Sequence, residues 1–303
     1  MKVPFFRPVV PPDVFCLLPE GITYASVRRD PPRGFTQARH FPFPPNTVGA
    51  GTSGTPLYTR EAVLQSVEAG RRLSDGRLAR ATALFPDSWA RMMPIEMETL
   101  PEEDDAVREM VLWKLKKLLP GVTAELSVVF RQMTEAGDQK RLLVAAAPTD
   151  TLKSIEDSFE AAGVRIGLLL PFSLALFEGL SPTLGSRASG DYGLLHRSED
   201  SLVFLVARDG SPVFFRQRPS DETDGDHDQE VRLSLSYYTE KLKGGGISTV
   251  FVHDARGDGV SETFPGKVER LTGRLFEADA NFDERIAARP ELLPAFAAVY
   301  GRV

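Results

Sequence analysis

Among 303 residues there is a single cysteine, Cys16, which excludes an internal disulfide and any cysteine-rich metal site. No apolar run approaches the roughly 20 residues that a membrane-spanning helix needs. The longest, Gly167 to Phe177, is interrupted by Pro171. Positive charge is not in excess either: 36 Lys and Arg face 42 Asp and Glu, a net charge of −6. Without a basic stripe, a binder that neutralises nucleic-acid phosphates is excluded. No two of His40, His196, His227 and His253 have the spacing of paired metal ligands. The G-x-S-x-G elbow and the G-x-x-x-x-G-K-[ST] phosphate loop are missing as well. Pro4, Pro8, Pro11 and Pro12 break the helical centre that a signal peptide uses. A cytoplasmic chain, neither exported nor inserted in a membrane by its own sequence, is the expectation.

What is present is ordinary for a globular protein, 42% apolar and 26% charged. At about 100–200 residues per domain, the length favours two domains with cores of their own. Ten of the 23 prolines fall within the first 45 residues, so this region reads as strands and turns. Val14 to Leu18, the turn Pro19-Glu20-Gly21, Ile22 to Arg29 and Thr36 to Phe41 form a meander. Arg60 to Leu73 is a helix ended by Ser74-Asp75-Gly76, and Ala79 to Phe85 a buried strand. Arg91 to Met97 reads as a short exposed strand. The clearest helix follows, announced by the capping box Thr99-x-x-Glu102, with acids at its start and Lys114, Lys116 and Lys117 at its end. Val107, Val111, Leu115 and Leu118 form its apolar stripe.

Strands at Ala124 to Met133 and Lys140 to Ala147 come next, joined by a turn at 135–138. Thr149 is expected to cap a helix that buries Leu152, Ile155, Phe159 and Ala162 and stops at Gly163. Val164 to Leu170 is a buried strand, and Pro171 opens a helix through Leu180. The small, Gly/Ser-rich segment Ser181 to Gly190 is the expected linker. Beyond it Asp191 to Arg197, Leu202 to Arg208 and Val213 to Arg218 form a second meander. A helix from about Glu230 to Lys241, a buried strand Ile247 to His253 and a mostly helical remainder ending at Pro294 to Tyr300 complete the chain. Both halves thus begin with strand-turn-strand-strand and continue with helix and strand.

That duplication resembles the actin-like ATPase fold. In detail the chain resembles the PilM-like proteins of type IV pilus assembly, with FtsA and the cytoplasmic part of GspL as more distant relatives. The residues carrying this are ATALFPDSWARMMPIEM and LPEEDDAVREMVLWKLKKLLP, then RLLVAAAPTDTLKSIEDSFEAAGVRIGLLLPFSLALFEGL, and LVFLVARDGSPVFFRQRP. The resemblance spans about residues 79–253. It implies an α/β fold with an α+β insert: an actin-like two-domain fold, residues 1–180 and 181–303, with an inserted strand-helix-strand-strand module at about 90–163. A plain ferredoxin-like β-α-β-β-α-β unit built on strands 79–85 and 164–170 is the competing reading of the insert. The resemblance further implies a partner, the cytoplasmic N-terminal peptide of a PilN-like bitopic inner-membrane protein. The protein would then lie at the membrane through that partner, and homodimer formation is left open.

Actin-like ATPases hold triphosphate between two hairpin turns that need glycine for close approach and aspartate to organise Mg²⁺. Here the first turn reads Cys16-Leu17-Leu18-Pro19-Glu20-Gly21 and the second Leu195-His196-Arg197-Ser198-Glu199-Asp200. After the late buried strand, a glycine pair is replaced by His253-Asp254-Ala255-Arg256-Gly257. All three elements depart from the pattern. The expectation is therefore a scaffold without catalytic, cofactor-binding or metal residues; the alternative is an active actin-like ATPase or kinase relative with a divergent site. A general interaction protein unrelated to pili is a third reading.

The remaining motifs are weaker. Gly49-Ala-Gly-Thr-Ser-Gly54 matches G-x-G-x-x-G but precedes its helix by several residues, so a loop is expected. Asp221 to Glu230 holds Gly225 out of the sixth place that a D-x-D-x-D-G calcium loop needs and reads as a solvated loop. Lys243 to Gly246 is a helix C-terminal turn. His196 and His253 fall at the two clefts; surface histidines are the default, an acid/base or metal pair with Asp254 or Asp200 the sharper option. The Met-rich strand at 91–97 suits peptide capture, which nominates Arg91, Met93 and Ile95 as partner contacts.

Overall fold

The computed structural model describes residues 10–28, 34–44, 48–50, 56–134, 139–219, 227–256, 264, 266–271, 277–278 and 289–300. The first meander consists of β1 (Asp13–Leu18), β2 (Gly21–Arg28) and β3 (Gly34–Pro42). The loop expected at 49–54 is flanked by two short paired strands, β4 (Val48–Ala50) and β5 (Pro56–Tyr58); residues 51–55 lie outside the described ones. Then come α1 (Arg60–Leu73) and β6 (Arg80–Phe85). The insert contributes β7 (Arg91–Met97), α2 (Asp104–Leu118), β8 (Leu126–Gln132) and β9 (Lys140–Pro148). They are followed by α3 (Thr149–Ala161), β10 (Arg165–Pro171) and α4 (Phe172–Arg187). The second meander is β11 (Tyr192–Arg197), β12 (Ser201–Arg208) and β13 (Ser211–Pro219). After α5 (His227–Glu240) come β14 (Thr249–Asp254), β15 (Lys267–Arg270), β16 (Glu277–Ala278) and α6 (Leu292–Tyr300).

Two large sheets repeat one topology. The first runs β10-β6-β1-β2-β3 with β16 added at its edge, the second β13-β12-β11-β14-β15. In each, a three-strand antiparallel meander is extended by two parallel strands. The inner parallel strands β6 and β14 are almost wholly buried, as strands covered on both faces are, whereas the outer ones, β10 and β15, are partly exposed. β7, β9 and β8 form a separate three-stranded sheet. Since β6 and β10 pair with each other in the first sheet instead, the ferredoxin-like reading of the insert does not hold.

Several local expectations are corrected. α2 starts at Asp104 with Glu103 preceding it and no side-chain cap; Asp104 and Asp105 meet the positive end of the helix directly, so the Thr99 box is not needed. Leu118, expected in the α2 core stripe, is 55% exposed, whereas Val107, Val111 and Leu115 are buried. Pro148, not Thr149, precedes α3, and the Thr149 hydroxyl pairs with Ser127 at 3.0 Å. The expected linker 181–190 is largely helix: α4 continues through Pro182 to Arg187. Packing overrides weak propensity there, since Ser181 and Leu184 are buried and the Ser181 hydroxyl meets Tyr192 Oη at 2.8 Å. After β14 the described residues hold the short strands β15 and β16 and the helix α6; residues 257–263, 265, 272–276 and 279–288 of the remainder expected to be mostly helical lie outside the described ones. Residues 220–226 of the acidic loop lie outside the described ones, and α5 opens at His227.

One apolar cluster runs through both sheets, from Phe15, Tyr24 and Phe159 on one side to Leu194, Leu205 and Phe251 on the other, with Leu176 and Leu180 of α4 between. The outer face of the second sheet and the insert have clusters of their own. The unit expected at 181–303 does not stay on the second sheet: β16 pairs with β3, and α6 packs on α4 and the first sheet. At the α4–α6 crossing the backbones touch. A Cβ added to Gly179 would lie 1.9 Å from Ala297 O.

Candidate functional site

The three segments expected to frame a nucleotide do come together. A cavity of about 420 Å³ is lined by Pro19 and Glu20 of the β1–β2 turn, Ser198 to Asp200 of the β11–β12 turn, and His253 and Ala255 after β14. Arg289, Pro290 and Glu291, just before α6, form a further wall. The parallel register of β11 and β14 sets His196 opposite His253 and Arg197 opposite Asp254.

The lining does not fit a magnesium triphosphate. Among the described residues no glycine lines the cavity. Gly21 of the first turn serves packing, because a Cβ there would lie 2.4 Å from Phe41 O and 2.8 Å from the His40 ring. Three of its carboxylates, those of Glu20, Asp200 and Glu291, are engaged by the protein itself. Asp200 accepts hydrogen bonds from the Ser198 hydroxyl at 2.7 Å and, through its other oxygen, from Ser88. Glu291 accepts from Thr23 at 2.6 Å and from Arg289, which also reaches Glu20 at 3.2 Å. Arg197 is 6% exposed, 4.0 Å from Asp254. Cys16 of β1 is fully buried, and burial pushes its thiol well above the ordinary range.

Behind the cavity wall lies a buried polar chain. His196 and His253 are 2% and 3% exposed, so the surface reading of these histidines is overturned. Their rings stack at 4.9 Å, with Nδ1 facing Nδ1 at 2.8 Å. The acid that meets them is neither Asp254 nor Asp200 but Asp87, in the 3-10 turn Asp87–Trp89 after β6. Its Oδ2 lies 3.2 Å from His196 Nε2, off the line of a good hydrogen bond, and neither atom has another partner among the described residues. Asp87 Oδ1 accepts from the Ser173 amide at 3.1 Å and hydroxyl at 2.7 Å. It thereby serves the start of α4, whose own cap residue Pro171 offers no side-chain bond.

Donor counting fixes the protons. His253 Nε2 lies 3.1 Å from Pro290 O, an acceptor, so that nitrogen carries hydrogen and donates. In a neutral ring His253 Nδ1 then accepts, and His196 Nδ1–H donates to it. His196 Nε2 is left as an acceptor, which places the last proton on Asp87. Electrostatics agree. Burial raises the Asp87 carboxyl to about 7 against the bonds from Ser173, lowers His196 well below its ordinary value, and lowers His253 to about 4. Asp87 and His196 Nε2 thus have one proton between them, held by Asp87, and Gln217 of β13 anchors this outer end by donating to Asp87 O at 2.7 Å and Ala90 O at 3.0 Å.

Of the nominated partner contacts, Arg91 is exposed and Met93 half-buried beside a groove between the insert and β13. Ile95 faces inward at 2% exposure, packed with Val111 and Leu115. The strand is therefore not simply exposed; it is the edge of its sheet with one face buried.

Twice-built sheets facing each other across a cleft, with a module inserted in the first half, define an actin-like α/β protein. No protein-family model matches the chain, and no curated protein sequence does. Among solved structures it is similar to a chain of a PilM-PilN type IV pilus biogenesis complex: TM-score 0.73, 16% identity, covering 97% of this chain and 98% of that one. It is also similar to the cytoplasmic domain of EpsL, an inner membrane component of the type II secretion system of Vibrio cholerae: TM-score 0.51, 10% identity, covering 86% and 89%. The fold is PilM-like. Among the described residues no helix is long and apolar enough to cross a membrane.

Proposed function

We propose that the protein is a non-catalytic scaffold of a type IV pilus or type II secretion assembly platform, acting at the cytoplasmic side of the inner membrane. On this reading it binds the cytoplasmic N-terminal peptide of a PilN-like bitopic membrane protein beside the inserted module. The near end-to-end likeness to a chain of the PilM-PilN complex carries the proposal. The cleft supports the non-catalytic part: its Glu20, Asp200 and Glu291 carboxylates are held by Thr23, Ser88, Ser198 and Arg289, and its retained glycine packs against β3. Immobilised full-length chain is expected to retain the cytoplasmic tail of such a membrane protein in co-purification. Failure to retain any platform-protein tail overturns the role.

The rival reading, an active ATPase, draws on Asp87, since a carboxyl raised to about 7 in a cleft is also how a general base looks. Mg-ATP titration separates the two. At about 1 mM ATP a micromolar site would add about 4 kcal/mol and shift the melting temperature by several degrees. No shift is expected.

A further inference from the structure

A further concavity, of about 610 Å³, lies between α2 of the insert and the β13–α5 face of the second sheet, next to the groove at Arg91 and Met93. Its walls expose large apolar side chains: Trp113 is 57%, Leu118 55% and Tyr237 45% accessible. Single exposed apolar residues mean little, but three gathered along one trough mark a binding surface. Lys117 Nζ sits 3.5 Å above the Trp113 ring, and Lys114 donates to Glu96 O at the rim.

The inner wall carries the telling group. Arg141 of β9 is 3% exposed and lines this trough. Its NH1 donates to Val213 O at 2.8 Å, while its Nε has no partner among the described residues. Glu96, opposite it in the β7–β9 register, is exposed and forms no ion pair with it among the described residues. A guanidinium taken out of water without a carboxylate is costly, and its planar fork is matched by a carboxylate. Arg216 nearby already has Glu230 at 2.9 Å. The uncompensated positive charge of the trough is thus at Arg141, Lys114 and Lys117, in a chain whose net charge is −6.

We propose that this trough docks an acidic, aromatic segment of a partner protein: a carboxylate side chain reaches Arg141, and flanking large apolar side chains lie on Trp113, Leu118 and Tyr237. The depth of Arg141 favours a projecting side chain over a flat lipid surface. The site deepens the scaffold reading by naming the chemistry of one partner, and rests on it only in requiring a partner chain.

Trp89 is buried and Trp113 exposed, so tryptophan emission of the full chain reports on the trough. The probes are the synthetic peptides Ac-Leu-Phe-Glu-Leu-Asp-NH2 and Ac-Leu-Phe-Lys-Leu-Lys-NH2. The acidic peptide is expected to give a saturable change and the basic one none. Arg141→Gln, which keeps a donor for Val213 O, is expected to weaken binding about thirtyfold or more. Lys117→Glu, on the exposed rim, should weaken it without any effect on folding. Equal responses to both peptides, no saturable response, or the same response to phosphatidylserine vesicles would each overturn the site. A chain that retains a membrane-protein tail yet ignores the acidic peptide loses this site and keeps the scaffold role; the converse result keeps the site and loses the role.

Discussion

Gly179→Leu is expected to lower the melting temperature by about 10 °C and to free α6 from the body of the protein. At this position a Cβ would fall 1.9 Å from Ala297 O and 2.4 Å from Ala297 C. These are backbone atoms, so no side-chain rotation relieves the clash; α4 and α6 must separate. Ordinary overpacking costs about 1–3 kcal/mol. Here the buried faces of Leu293, Phe296 and Ala297 are partly uncovered too, which raises the loss to about 3–5 kcal/mol. For a chain of this size each kcal/mol is worth about 2–4 °C. Gly185 of the same helix is the control. Its Cβ would meet only Tyr192 Cε1, at an ordinary 3.7 Å, and Gly185→Ala should be neutral or stabilise by up to about 1 kcal/mol. Calorimetry on both variants decides: similar losses at 179 and 185 would refute the close crossing.

The second large effect is on the pH profile. Asp87 is raised from 3.8 to about 7 in the folded protein. The native state therefore holds this proton to higher pH than the unfolded chain. Its favourable contribution is complete below about pH 4 and lost as pH climbs to about 7, beyond which a buried anion remains. The histidines act oppositely. His253 falls from 6.5 to about 4, so its neutral burial costs stability as pH drops through that window. Asp87→Asn keeps an acceptor for Ser173 and supplies an N–H toward His196 Nε2, without a charge to lose. Relative to wild type, its stability is expected to grow by about 2 kcal/mol, or about 4 °C, between pH 5.5 and 8.5. Parallel melting curves across that range would falsify the shared-proton assignment.

Where the sequence was legible, short-range pattern carried the signal. Each meander has its turn residues and alternation within some 30 residues, and α1 was read to its ends because its apolar spacing and its Ser74-Asp75-Gly76 stop agree; Asp75 and Gly76 both take left-handed backbone, φ 52° and 72°. Which of those turns frame the cleft came from the resemblance to actin-like proteins. What escaped depends on distant pairing. Asp87 gains its meaning from Ser173 and His196, which lie 86 and 109 positions away, and the only local hint was an acid directly after a buried strand. Ile95 was misjudged for a different reason. In Arg91 to Met97 strict alternation groups Met93, Ile95 and Met97 on one face, and that face covers the α2 stripe, not a partner. Arg141 carries no local signal, and the carbonyl it meets belongs to β13, a strand of the other half.

The return of the chain end has a consequence for biosynthesis. β3 receives its neighbour β16, and α4 its cover α6, only when residues 277–300 arrive. On the ribosome, the amino-terminal sheet thus waits with an open edge and an uncovered greasy flank until those residues have been made, and a nascent chain stalled after α4 is a natural client for chaperones.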